Sequence, residues 1–166
     1  GTAALGAVGM CFPIVILITA FTNMFGSGGA PLFSISRGAG NRKEASLIQN
    51  TAFFLLLMTA AILTILGEAV GRPVLSVFGT SDQAMVHALP YLRIYLIGTV
   101  FSMIATGMNP FITAQGYAMT GMTTVIIGAA ANIILDPLMI FVLGLGVEGA
   151  AIATILSQAL SAVFVL

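Results

Sequence analysis

Charged residues are scarce in this sequence. Only 6% of its 166 residues are Asp, Glu, Lys or Arg, whereas 59% are hydrophobic, and the mean hydropathy is +1.14. Soluble domains carry about 25% charged residues, so this chain has too few to cover a water-facing surface. The shortage excludes a soluble globular domain and indicates an integral membrane protein.

Cysteine and histidine are also nearly absent. Cys11 is the only cysteine, which excludes an internal disulfide and offers no metal-ligand spacing, so we expect a small buried hydrophobe. His87 is the only histidine, and we expect it at the surface near the start of a helix. Five basic residues balance five acidic ones, so the chain has no basic face for nucleic acid, and we expect no nucleic-acid partner.

These shortages also argue against catalysis inside the membrane. Aspartyl chemistry requires two facing carboxylates, and serine or metal chemistry requires a histidine at membrane depth. Asp136 is the only acidic residue deep within an apolar run. We therefore predict that the protein is not an enzyme, with no catalytic residue and no cofactor.

What the sequence has instead is a series of long apolar runs. About 20 apolar residues cross a hydrocarbon core of about 30 Å. The runs predict five spans, at residues 7–33, 45–67, 91–112, 118–143 and 149–166. Every charge except Asp136 lies at or near a connection between them, and no polar linker divides the chain. We predict one all-α integral membrane bundle of about five transmembrane helices over residues 1–166.

The connections predict an orientation. Loop 37–44 contains the densest basic cluster of the chain, Arg37, Arg42 and Lys43. A short loop rich in Lys and Arg marks the cytoplasmic side, so connection 68–90, in which we expect a short interfacial helix over Pro73–Phe78, is external. We predict a multi-pass protein of the cell membrane, with a bacterial or archaeal inner membrane favoured.

Five consecutive small residues, Gly26–Ala30, lie in the first run. They resemble a phosphate-binding loop only superficially, because no Lys followed by Ser or Thr comes after them. Small residues in membrane helices allow backbones to approach closely. We therefore predict that this segment packs against another helix.

Asp136 lies within the apolar fourth run, in the segment Asn-Ile-Ile-Leu-Asp-Pro. A charged side chain at the centre of a membrane helix costs at least about 2.5 kcal/mol, so it needs a partner, a proton or water. Asn132 is four residues earlier and therefore on the same helix face. Pro137 has no N–H to give to the carbonyl of Ile133, which predicts a kink and a free carbonyl.

The depth of Asp136 along its span predicts which residues of the next span lie beside it. Asp136 is about 10 Å from the end of its run, at 1.5 Å per residue. On the next run, which returns after a tight turn, Thr154 is predicted level with Asp136, and Gln158 level with Asn132. We predict that these four residues form a site for a coupling H⁺ or Na⁺, with Asp136, Asn132 and Thr154 as the Na⁺ ligands. A purely structural link between helices is the alternative.

Five segments together resemble a known family. They are Gly38–Ala45, Pro90–Ile94, the Ala-Gln-Gly at 114–116, Asn132–Phe141 and Leu143–Ala151. In this order they are similar to the multidrug and toxic compound extrusion (MATE) family. The resemblance implies helices 2–6 of a twelve-helix transporter with two six-helix lobes, and it implies that Asn132, Asp136 and Thr154 belong to the cation site of the N-terminal lobe.

The resemblance also implies an activity and partners. It implies a secondary active antiporter that exports cationic, amphipathic small molecules through the lipid bilayer, coupled to inward flow of H⁺ or Na⁺. The chain starts at Gly1 without Met and ends inside an apolar run, so we expect a piece of a longer protein. The rest of that protein would supply a C-terminal lobe and a first helix with a second acidic residue. The family usually has basic residues after Gln115, and this sequence has none there.

Two other functions remain open at this point. A flippase of lipid-linked oligosaccharides shares the superfamily architecture, but it needs cationic residues in its cavity to hold a pyrophosphate. None of the five basic residues is at mid-membrane in the predicted spans, which weighs against a flippase. A structural membrane subunit would use Asp136 for stability alone.

Overall fold

The computed structural model describes residues 2–166, with side chains from Ala4 onward. Within that range the chain consists of helices joined by short turns. The α-helices are α1 (Thr2–Gly38), α2 (Arg42–Val77), α3 (Asp82–Ile97), α4 (Thr99–Ala114), α5 (Ala118–Pro137) and α6 (Gly146–Val165). A π-helical segment, Leu138–Val142, continues α5 directly.

Every proline of the sequence lies inside an α-helix. They are Pro13 and Pro31 in α1, Pro73 in α2, Pro90 in α3, Pro110 in α4 and Pro137 in α5. A proline removes one backbone hydrogen bond from a helix, and membrane helices tolerate the loss because neighbouring groups satisfy the freed carbonyl. Proline therefore does not mark the ends of these helices.

The predicted connection 68–90 and its separate short helix Pro73–Phe78 are wrong. Helix α2 continues to Val77, and α3 begins at Asp82. The polar residues of this part of α2 do not end the helix, because Arg72 and Ser76 are exposed on its outer side and Glu68 pairs with Arg93 of α3. On the packed side Gly71 is buried against Leu92 of α3.

Glu68 of α2 and Arg93 of α3 form an ion pair between the two helices. The Nε atom of Arg93 lies 3.4 Å from Oε2 of Glu68, which joins α2 to α3. It is the one ion pair within residues 2–166. The pair partly neutralises both charges, so neither residue has to interrupt its helix.

Helices α3 and α4 replace the single predicted span 91–112. They meet at Gly98 with a bend of 54°, and the hydroxyl of Thr64 in α2 donates to the Leu96 carbonyl beside the bend at 2.8 Å. Four other helices are long and apolar enough to cross a membrane, and the bent pair counts as a fifth if it forms one span. The predicted all-α bundle of about five spans is confirmed, whereas the residues that contact the bilayer stay a prediction.

The bundle is unevenly packed. Helix α1 contacts α2, α3 and α4, and α6 contacts α3, α4 and α5. Within the described chain α5 packs only against α4, α6 and its own π-helical continuation. The core contains Leu56, Leu92, Leu96, Met103 and Phe111, while many large apolar side chains remain exposed. Such an apolar exterior is typical of a surface that meets lipid or other helices.

The burial of Cys11 and the exposure of His87 agree with the sequence predictions. Cys11 is buried, and its thiol donates to the carbonyl of Ala88 across a helix contact at 3.6 Å. His87 is exposed in the first turns of α3. Neither residue belongs to a cluster of metal-ligating side chains in the described part of the chain.

The small residues of α1 form a close contact with α4. A Cβ atom added to Gly26 would lie 2.5 Å from the carbonyl oxygen of Gly107, and one added to Gly29 would lie 2.9 Å from Cζ of Phe111. Two backbones can approach this closely only when side chains are missing between them. The predicted helix packing of this segment is confirmed.

Replacing Gly26 with Ala is expected to destabilise the α1–α4 contact. Overpacking of this kind costs about 1–3 kcal/mol, so the melting temperature of the purified full-length protein should fall. Gly28→Ala is the matched control, because nothing lies within 4 Å of its added Cβ. Equal melting temperatures for the two variants would contradict the close contact.

Candidate cation site and polar cavity

The helix changes type at Pro137. Helix α5 ends at this residue, and in the π-helical segment that follows, the N–H of Leu143 donates to the carbonyl of Leu138 at 2.9 Å. Pro137 has no N–H for the Ile133 carbonyl, and the next amide, that of Leu138, donates to Leu135. Ile133 therefore keeps a carbonyl without its usual helical partner. Single π-helical turns inside α-helices are frequent at functional sites.

Asp136 and Asn132 are in direct contact. The Nδ2 atom of Asn132 donates to Oδ1 of Asp136 at 3.3 Å, and both side chains are half-buried. Asp136 forms no ion pair with any described residue. The structure thus shows a carboxylate that is held by one amide and faces no cationic side chain, while its role in ion coupling stays a prediction.

Contacts between α5 and α6 fix the relative depth of their residues. A Cβ atom on Gly149 would lie 2.7 Å from the Met139 carbonyl oxygen, and the Ser161 hydroxyl donates to the Thr124 carbonyl at 3.1 Å. Interpolation at about 1.5 Å per residue places Thr154 level with Asn132. Thr154 is therefore about one turn deeper than the sequence predicted, and Gln158 is deeper by the same amount.

This difference in depth has a physical origin. Helix α6 begins at Gly146 rather than at 149, and the π-helical segment adds a residue to the last turn of α5. Both effects move the residues of α6 inward relative to Asp136. The hydroxyl of Thr154 donates to the Ala150 carbonyl of its own helix at 2.9 Å, which leaves its oxygen free to accept.

A polar cavity of about 490 Å³ lies deeper, between α1, α4, α5 and α6. Its wall combines amides and hydroxyls, which come from Asn23, Thr106, Asn109, Thr113, Thr124, Gln158 and Ser161. No charged residue is among those that line it. Gln158, predicted as a member of the cation site, lies on this wall. Cavities of about 300–1,000 Å³ hold drug-sized molecules.

Sequence reasoning assigned no role to three polar residues that shape this cavity. Asn109 donates to the Gly121 carbonyl at 2.9 Å and so links α4 to α5, while Thr124 and Ser161 link α5 to α6. One signal was present in the sequence, because the polar residues of α6 recur three or four positions apart. They are Thr154, Ser157, Gln158 and Ser161.

Replacing Pro137 with Ala is expected to restore the missing hydrogen bond to Ile133. Proline inside a helix costs about 3 kcal/mol, so Pro137→Ala should raise the melting temperature and slow hydrogen exchange at amides 138–142. Pro13→Ala in α1 is the control, which should leave exchange at 138–142 unchanged. Unaltered exchange in Pro137→Ala would show that the π-helical segment has another cause.

The apolar helical bundle, with a half-buried carboxylate next to a polar cavity, has the architecture of a membrane transporter. Residues 1–138 match the MatE family, and the chain belongs to this family. Its relatives are named as transporters or export proteins, in agreement with the prediction that it is not an enzyme.

Three known proteins illustrate the similarity. The chain is 28% identical to the multidrug export protein MepA of Staphylococcus haemolyticus over 96% of its own length and 35% of that protein. It is 28% identical to an FAD transporter of Shewanella oneidensis over 95% of its length and 36% of the transporter. It superimposes on a crystal structure of MATE in the bent conformation with a TM-score of 0.95 and 29% identity, over 99% of this chain and 37% of that one. The chain thus spans little more than a third of the relatives it matches.

Proposed function

We propose that this chain is the part of a cation-coupled multidrug exporter that contains the coupling site of one lobe. The observation that carries the proposal is Asp136, a half-buried carboxylate with one hydrogen-bond partner, located above a polar cavity that no charged residue lines. The relative named as a multidrug export protein supports the drug-export activity.

Asp136 couples the ion to the cavity through Asn132. In the described state the amide of Asn132 donates and the carboxylate accepts. A protonated carboxyl donates instead, and a bound Na⁺ requires oxygen ligands, so either ion favours rotation of the Asn132 amide to present its oxygen. Thr154 lies at the same depth and the cavity lies about one turn below. Ion binding therefore rearranges the polar groups next to bound substrate and weakens its binding.

The other half of the site comes from a segment outside this chain. Among the described residues, helix α5 packs against α4, α6 and its own π-helical continuation, which leaves the remaining side of the helix available to another element. A further helix of the same protein occupies that side and supplies a second carboxylate. This arrangement gives the half-buried charge of Asp136 a partner for a shared proton or Na⁺.

The cavity fits a cationic, amphipathic substrate. Amide and hydroxyl oxygens stabilise a positive charge, and apolar side chains such as Val125 contact a hydrophobic ring system. Phosphate-bearing substrates fit less well, because no Lys or Arg lines the cavity in the described part of the chain. This argues against a flippase of lipid-linked oligosaccharides. In the proposed orientation loop 37–44 is cytoplasmic, in a bacterial or archaeal inner membrane.

Asp136→Asn is expected to abolish ion-driven export. The variant keeps the shape and one acceptor oxygen but cannot exchange a proton or neutralise Na⁺, so transport should fall at least about tenfold, the range of a lost charged hydrogen bond. The measurement is uptake of the cationic dye ethidium by proteoliposomes of the full-length transporter, with H⁺ and Na⁺ gradients imposed separately. Glu148→Gln, an exposed carboxylate at the start of α6, is the control and should change transport less than twofold. Undiminished transport by well-folded Asp136→Asn would refute the coupling role.

Gln158→Leu is expected to alter substrate binding rather than coupling. Loss of one neutral hydrogen bond costs about 1 kcal/mol, so KM for a hydrogen-bonding cationic drug should rise about fivefold. The ion dependence of transport should remain, because Gln158 lies on the cavity wall. Gln83→Leu, an exposed position in α3, is the control. If Gln158→Leu removed ion dependence as Asp136→Asn does, Gln158 would belong to the cation site.

A further inference from the structure

A second polar cavity, here called the basic bowl, lies at the other end of the bundle. It has a volume of about 490 Å³ and is formed by the end of α1, the start of α2 and the residue after α4. The residues that shape it are Phe33, Arg37, Arg42, Ser46, Gln49 and Gln115. It contains none of the residues of the cation site or of the deeper cavity.

The bowl carries two positive charges that nothing in the described chain neutralises. Arg37 and Arg42 form no ion pair with residues 2–166. The nearest acidic residue in sequence, Glu44, instead accepts a hydrogen bond from the side chain of Asn41 at 2.8 Å, as part of the cap of α2. The lining itself includes no carboxylate. The bowl is therefore suited to an anion.

An aromatic floor closes the bowl toward the bundle interior. Phe33 is buried and meets Phe111 of α4 edge to face, with 5.6 Å between ring centroids. The guanidinium of Arg37 lies 5.9 Å from the centroid of the Phe33 ring, and this cation–π contact holds it at the rim.

We propose that the basic bowl binds the headgroup phosphate of an anionic phospholipid. Guanidinium groups bind phosphate oxygens in pairs, and Ser46, Gln49 and Gln115 supply hydroxyl and amide groups for the glycerol part of the headgroup. Basic pockets between membrane helices are a recognised setting for anionic lipids. The lipid joins the α1–α2 turn to the end of α4 and so stabilises their relative position.

The location favours a lipid over free phosphate. The bowl is at the ends of two long apolar helices, where headgroups lie. Ile35 and Leu47, 69% and 64% exposed on the same two helices, provide apolar surface at this end for acyl chains. The inference is independent of the direction of transport and of which side of the membrane this end faces.

The test measures lipid binding to the delipidated full-length transporter by native mass spectrometry. Dioleoylphosphatidylglycerol is titrated alone, against dioleoylphosphatidylcholine, and in the presence of inorganic phosphate. Arg37→Gln and Arg42→Gln should each weaken binding at least about tenfold, because each removes a charge-assisted hydrogen bond to the phosphate. Lys43→Gln, which removes the same charge next to Arg42 but does not line the bowl, should change binding less than twofold.

A second variant tests whether the shape of the cavity, and not only its positive charge, is needed for lipid binding. Ser46→Leu keeps both arginines and fills the cavity from an exposed position, so it should also weaken phosphatidylglycerol binding at least fivefold while its melting temperature stays unchanged. Equal losses for Arg42→Gln and Lys43→Gln, or no loss for Ser46→Leu, would overturn the proposal in favour of a general attraction to a basic loop. Displacement of phosphatidylglycerol by millimolar inorganic phosphate, or equally tight phosphatidylcholine binding, would also overturn it.

Discussion

The constraint on which this structure depends is that hydrocarbon offers no hydrogen bonds to a backbone. Each helix must therefore satisfy its own amides and carbonyls, and exceptions occur where protein or water replaces the missing partner. The six helical prolines are such exceptions. Pro137 is the one that coincides with a π-helical turn, a half-buried acid and an amide, so the unsatisfied backbone and the proposed cation site occupy the same place.

Close helix contacts and polar groups divide the bundle into two zones. Small residues such as Gly26 and Gly107 bring α1 and α4 together in a firmly packed core. Across the cavity, hydrogen bonds from Asn109 and Ser161 to backbone carbonyls of α5 connect this helix to α4 and α6. One part of the chain is thus tightly packed, and the other contains the proposed cation site and the polar cavity.

The sequence predicted what depends on local spacing and missed what depends on neighbours. Asn132 and Asp136 were paired correctly because positions four apart on a helix always meet. Thr154 was misplaced by about one turn because the start of α6 and the π-helical turn could not be counted from composition. The prediction of connection 68–90 was wrong because its charged residues were taken to mark a loop, whereas they lie within helices that continue past them. Asn109 and Ser161 were missed because their partners are on other helices, although the polar spacing on α6 was visible in the sequence.

The open side of α5 has a consequence for how the site is completed. Within the described chain α5 contacts α4, α6 and its own π-helical continuation, and Gly121 and Thr124 are its buried residues. In the proposed exporter a further helix packs on the remaining side of α5. A ligand can shift a conformational equilibrium only by the difference in its affinity for the two states. An ion shared between Asp136 and that helix would therefore favour whichever packing of the two helices brings its ligands together.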